Sequence, residues 1–165
     1  MQDSVSWYRW LLWGSLAMAL GVPAARAGDN PESGRRVEGS WYGSFEPAGY
    51  APVPVLVTLA RDGGLTTADG TDFLGSYQSA THGSWERDGA DGLRMTLLAL
   101  NFDAAGNFTG HSRTRGSARL NRARDTLSGS FRTDYFQPGQ DPLDPAAVPY
   151  RSIPASFALR RITVQ

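Results

Sequence analysis

The 165-residue chain contains no cysteine and no lysine. Without cysteine there is no disulfide, no thiolate nucleophile and no cysteine-held metal. Without lysine, Schiff-base catalysis and a lysine-bound pyridoxal cofactor are excluded. All 16 basic residues are arginine, and 16 acidic residues balance them, so a nucleic-acid partner held by a broad positive footprint is not expected. Histidine is scarce as well. His82 and His111 fall on separate expected strands without any known ligand spacing, so no metal site is expected.

Motifs are equally sparse. No Gly-x-Ser-x-Gly elbow occurs, and Ser40, Ser84 and Ser130 sit in expected strands without a partnered base. Asp69 and Asp72 share a loop, Glu86 precedes a turn and Asp134 has outward parity, which are ordinary places for acids. There is no heptad, helical period or internal repeat. No catalytic residue and no cofactor is assigned.

Long hydrophobic runs are also missing. The apolar run Trp10–Val22 is too short to span a bilayer. Arg9 precedes it and Ala25-Arg26-Ala27 follows, with small residues at the two positions a signal peptidase reads. Residues 1–27 therefore read as a cleaved export signal and 28–36 as a flexible leader. An exported domain without disulfides suits a bacterial periplasm, or secretion from a bacterium, with no membrane span left after cleavage. Residues 37–165 are long enough for one domain with its own core.

What is present is a succession of short alternating runs. His82–Arg87, Leu93–Phe102, Phe108–Leu120 and Leu127–Phe136 are separated by Asp/Gly/Asn clusters, the signature of antiparallel hairpins. Val37–Phe45, Val53–Arg61, Gly64–Ala68 and Ala155–Val164 supply four more strands. Gln137–Pro154 holds five prolines and is expected to stay out of the ladder.

Eight strands in simple succession predict an all-β fold, an eight-stranded up-and-down antiparallel barrel that leaves no exposed edges. Three tight joins gather at one end, and the tight hairpin between the fifth and sixth strands falls at the other. The long joins meet at that second end and rim an open mouth, with Gln137–Pro154 as its natural lid.

With Phe102 opposite Phe108, the row Arg94, Thr96, Leu98, Leu100 and Phe102 would face inward. Phe131 would lie beside Gly116, with Tyr135 on the same face, while Arg113 and Arg115 point to solvent beside Met95 and Leu97. The mouth would gather Tyr50, Phe73, Tyr77, Phe102, Phe108, Tyr135 and Tyr150. An apolar surface with a few hydroxyls is how small-molecule sites are built. An inward Arg94 could hold a ligand carboxylate, or stack on a core tryptophan. The candidate ligand residues are therefore Tyr50, Phe73, Tyr77, Arg94, Phe102, Phe108, Phe131, Tyr135 and Tyr150.

Gly39-Ser40-Trp41 at the first strand resembles the Gly-x-Trp signature of the lipocalin and calycin barrels. That resemblance implies that Trp41 packs at the closed end under an arginine from the last strand, Arg160 or Arg161; Trp85 is separately expected to fill the same end. The chain departs from the family in ending as a strand and in lacking the second loop signature. Gly39-Ser40-Trp41-Tyr42 and Asp62-Gly63-Gly64-Leu65-Thr66 are also similar to avidin barrels, but residues 28–165 hold only Trp41 and Trp85, too few to wall a biotin site. Three functions stay open at this point. They are binding of a small apolar or amphipathic molecule, an enzyme similar to the allene oxide cyclase group that works by orienting a flexible substrate, and a ligand-free partner-binding barrel.

Overall fold

A computed structural model describes residues 37–70 and 77–164. The expected export signal, the leader and Phe73 lie outside the described residues. The strands are β1 (Gly39–Pro47), β2 (Val53–Leu59), β3 (Gly64–Asp69), β4 (Tyr77–Gln78), β5 (Thr81–Asp88), β6 (Gly92–Phe102), β7 (Phe108–Leu120), β8 (Thr126–Phe136) and β9 (Arg151–Arg161). Every neighbouring pair is antiparallel, and β1 pairs with both β2 and β9 while β6 pairs with β7. The result is a closed barrel of eight strands, β1-β2-β3-β5-β6-β7-β8-β9. The two-residue β4 adds to β6 beyond the end of β5, where Tyr77 lies opposite Phe102. No described residue is helical.

The middle hairpin keeps the expected contact of Phe102 opposite Phe108, then departs from the expected register. Asn101 pairs with Gly110, so Thr109 is an extra residue on β7. This is a β-bulge, and it reverses which face of β6 looks inward. Gly110 makes it possible. Its φ is +132°, and a Cβ there would sit 2.0 Å from the Phe136 carbonyl oxygen. As a consequence Leu93, Met95, Leu97 and Asn101 line the lumen, correcting the expectation for Arg94, Thr96, Leu98 and Leu100. From Gly116 opposite Phe131 to Leu120 opposite Leu127, the β7–β8 register is as expected.

The last strand begins earlier than its prolines suggest. β9 runs from Arg151 and carries Pro154 within it, opposite Arg132 of β8. The Pro154 carbonyl faces the β1 side and accepts from Ala48 N–H at 3.0 Å. The N–H that proline lacks would point the same way, past the end of β1, so no ladder bond is lost.

The closed end is packed solid. Val37, Leu59, Leu65, Leu93, Leu120, Leu127 and Leu159 are all buried around Trp41 and Trp85. The Trp41 indole N–H donates to the Val37 carbonyl at 3.0 Å, and Trp85 donates to Ala60 at 2.9 Å. Arg161 is the arginine that covers Trp41, its guanidinium carbon 4.2 Å from the ring centroid. That guanidinium donates to the Glu38 and Arg124 carbonyls, locking the cap to both flanking segments. Arg160 is exposed on the outer face.

Candidate functional site

Above the leucine floor the barrel is hollow. A cavity of about 610 Å³ runs up the axis to the loop end, within the range of roughly 300–1,000 Å³ typical of small-molecule pockets. Its origin lies in β7. The inward row there is Ser112, Thr114, Gly116 and Ala118, so one wall contributes nothing larger than threonine. Gly116 leaves room for the neighbouring Phe131, and a Cβ on it would lie 2.6 Å from that side chain. Phe131 then meets Phe45 at 5.5 Å and Phe157 at 6.0 Å between ring centroids, an aromatic layer half-way up the lumen.

The same wall is polar where it meets β6 and β8. The Thr114 and Thr133 hydroxyls share a hydrogen bond of 2.8 Å, and Ser112 Oγ contacts Asn101 Oδ1 at 3.4 Å. These pairs satisfy the wall without filling it. Met95, Val57, Phe45 and Phe131 are only partly buried despite facing inward, because the space before them is open.

At the mouth, Tyr50, Tyr135, Tyr150 and Arg151 converge. The Tyr135 and Tyr150 rings are 6.3 Å apart. The Arg151 guanidinium lies 5.8 Å from the Tyr50 ring centroid and 5.6 Å from that of Tyr135, and it donates to the Tyr50 hydroxyl. Burial holds the Tyr135 phenol above its ordinary range, against the opposing pull of Arg151, so it remains a hydrogen-bond donor at neutral pH. Across the opening, Asp69 accepts from Gln78 Nε2 through both carboxylate oxygens, each at 3.0 Å.

Of the residues the sequence pointed to, Tyr50, Phe102, Phe131, Tyr135 and Tyr150 line this cavity. Arg94 does not. It is exposed on the outer face and pairs with Glu86 at 3.1 Å, a direct result of the Thr109 bulge. Phe108 is likewise turned to the rim, packing against Phe102 and against His111 at 5.0 Å. Tyr77 is exposed on β4 and off the lining. His82 is exposed on β5, and His111 sits on the outer face, so the two histidines do not converge. Among the described residues no group of three or more metal-ligating side chains occurs.

Sequence reasoning missed Phe45, Phe157, Asn101 and Arg151. For Arg151 a signal existed: it shares the inward parity of Ile153, Ala155, Phe157 and Leu159, concealed by starting the strand after Pro154.

The outer face of β7 and β8 also differs from expectation. Arg113 and Arg115 do point outward, but Arg113 is only 6% exposed. It is covered by the segment 137–150, whose Pro142 carbonyl accepts from its Nη1. That segment therefore straps the outside of the barrel and does not lie over the mouth as a lid. Only its last residue, Tyr150, reaches the lumen.

No family model matches the chain, and no curated protein matches it. One similar solved structure is "Structure of EF1p2_mFAP2b bound to DFHBI", 8% identical, with a TM-score of 0.49 over 79% of this chain and 97% of that one. Among the described residues no helix is long and apolar enough to cross a membrane.

Proposed function

We propose that this protein is an exported, lipocalin-like barrel that binds one small apolar or amphipathic molecule in its lumen. The observation that carries the reading is the unfilled cavity of about 610 Å³, open at the loop end and walled by Phe45, Phe131 and Phe157. Apolar surface of this kind gains free energy by leaving water, roughly 25 cal/mol per Å². The rigid closed end keeps the lumen from collapsing around its own side chains, so a ligand meets a preformed site.

The neutral fluorophore N-phenyl-1-naphthylamine tests this directly. It is expected to bind saturably at one site, with a blue-shifted and brightened emission. Val57→Trp places a large ring in open lumen space and is expected to weaken binding at least tenfold while the fold melts cooperatively. Absence of saturable binding, or equal binding by the filled variant, would overturn the reading.

Export is tested separately. Expressed from its full sequence in a Gram-negative host, the protein recovered from the periplasm is expected to have an intact mass that begins at Gly28. A periplasmic chain retaining residues 1–27, or a chain confined to the cytoplasm, counts against the signal.

A further inference from the structure

Resting on that lumen-binding reading, we propose that the mouth recognises an anionic head group, with Arg151, Tyr135 and Tyr150 as its donors. The ligand class is then an amphipathic anion, its head at the tyrosines and its tail against the Phe45–Phe131–Phe157 layer.

Donors are left over at the mouth. Among the described residues, Arg151 is the only basic one on the cavity lining. Among the described residues it has no carboxylate partner, and its one side-chain hydrogen bond goes to the Tyr50 hydroxyl. Five arginines elsewhere on the barrel do have carboxylate partners. Arg113, Arg115 and Arg132 all crowd onto Asp134, while Arg94 takes Glu86 and Arg87 takes Glu38. The Tyr135 and Tyr150 hydroxyls make no hydrogen bond to any described residue, and burial keeps the first of them protonated.

Among the described residues, the two carboxylates on the lining are each hydrogen-bonded within the protein. Both Asp69 oxygens accept from Gln78. Asp103 caps its own turn, accepting from the Ala105 and Asn107 N–H groups and from Asn107 Nδ2. An incoming group therefore meets one planar cation and two phenolic donors with capacity to spare, beside two carboxylates, Asp69 and Asp103, each held by hydrogen bonds within the protein. That set matches a carboxylate or phosphate, which a guanidinium engages through two parallel N–H bonds.

Depth sets the rest of the ligand. Tyr135 and Phe131 share the inward face of β8 four residues apart, about 13 Å along the strand. A head group held at the mouth thus needs a tail of roughly that length to reach the aromatic layer.

The test is displacement of bound N-phenyl-1-naphthylamine by four molecules with the same tail: dodecanoate, dodecyl phosphate, dodecanol and dodecylamine, each below its micellar concentration. Dodecanoate or dodecyl phosphate is expected to compete at least tenfold better than dodecanol, and the better of the two assigns the head group. In Arg151→Gln that preference is expected to fall to about one, with Arg151→Lys retaining part of it. Tyr135→Phe with Tyr150→Phe, which keeps both rings, is expected to reduce it severalfold and covers the case in which the arginine variant folds poorly. Equal competition by dodecanol and both anions, a preference for dodecylamine, or an unchanged preference in Arg151→Gln each overturn the proposal. Failure of the fluorophore to bind at all instead sinks the lumen reading on which it rests.

Discussion

Trp41→Ala is expected to lower the unfolding free energy by about 3–5 kcal/mol, the usual cost of emptying a buried tryptophan site. Trp41 is fully buried among the closed-end leucines and does not appear on the cavity lining. Its loss opens a void bounded by strands that closure prevents from collapsing inward. It also takes from the Arg161 guanidinium its aromatic partner. Urea unfolding followed by circular dichroism measures the effect, and a melting temperature lower by about 10 °C or more should accompany it. A variant that kept its stability but lost the fluorophore would make Trp41 a ligand group instead of a plug. Arg161→Ala should show a smaller loss, because the indole it covers stays packed.

How much of this could be read beforehand depends on the local chemistry of each element. The barrel itself was legible because hairpin turns and alternation are short-range signals. The β7–β8 register needed only Gly116 beside Phe131 and Leu120 beside Leu127. β6 was misread because one residue, Thr109, bulges out, and a one-residue slip exchanges the two faces of a strand. Two clues were available. Gly110 interrupts a strand that otherwise has no need of it, and Leu93, Met95 and Leu97 form a more uniformly apolar row than Arg94, Thr96 and Leu98.

The site was half legible for a similar reason. Aromatics at the long-loop end are conspicuous, so Tyr50, Phe102, Tyr135 and Tyr150 could be gathered by topology alone. The hollow was not conspicuous, because it results from small residues: the row Ser112, Thr114, Gly116 and Ala118 is a wall that does not fill its share of the lumen. Arg113 shows the converse limit. Parity gives the face of the sheet on which a side chain stands, but not whether a later segment covers that face.

That covered face is where the second large effect is expected: Asp134→Asn should destabilise the fold by about 3–5 kcal/mol, the usual cost of breaking one side of a buried ion pair. The Asp134 side chain is 0% exposed and receives Arg113 at 3.3 Å, Arg115 at 3.2 Å and Arg132 at 2.9 Å. Arg113 and Arg115 meet Oδ2, while Arg132 Nε meets Oδ1, to which Ser152 also donates at 2.7 Å. Arg115 and Arg132 are about half exposed, so water can take them back. Arg113 cannot be rehydrated without lifting the strap, because it lies over the Phe136 ring and under the Pro142 carbonyl. The strap should loosen with the pair, so hydrogen exchange across residues 137–150 is expected to rise more than exchange in β1 or β2. The pH dependence has a definite sign. Burial alone would raise the Asp134 carboxyl, but the hydrogen bonds from Ser152, Arg113 and Arg132 outweigh it and hold it below the ordinary range. A depressed carboxyl contributes its full stability above the unfolded value, about 3.9, and loses it as pH falls through the lower folded value. The stability gap between the native chain and Asp134→Asn should thus be constant at neutral pH and narrow below about pH 4. A gap that persisted unchanged into strong acid would mean that shape, not charge, is what Asp134 supplies. Arg113→Met with Asp134→Leu replaces the pair by apolar groups of similar size, and it should recover most of the loss.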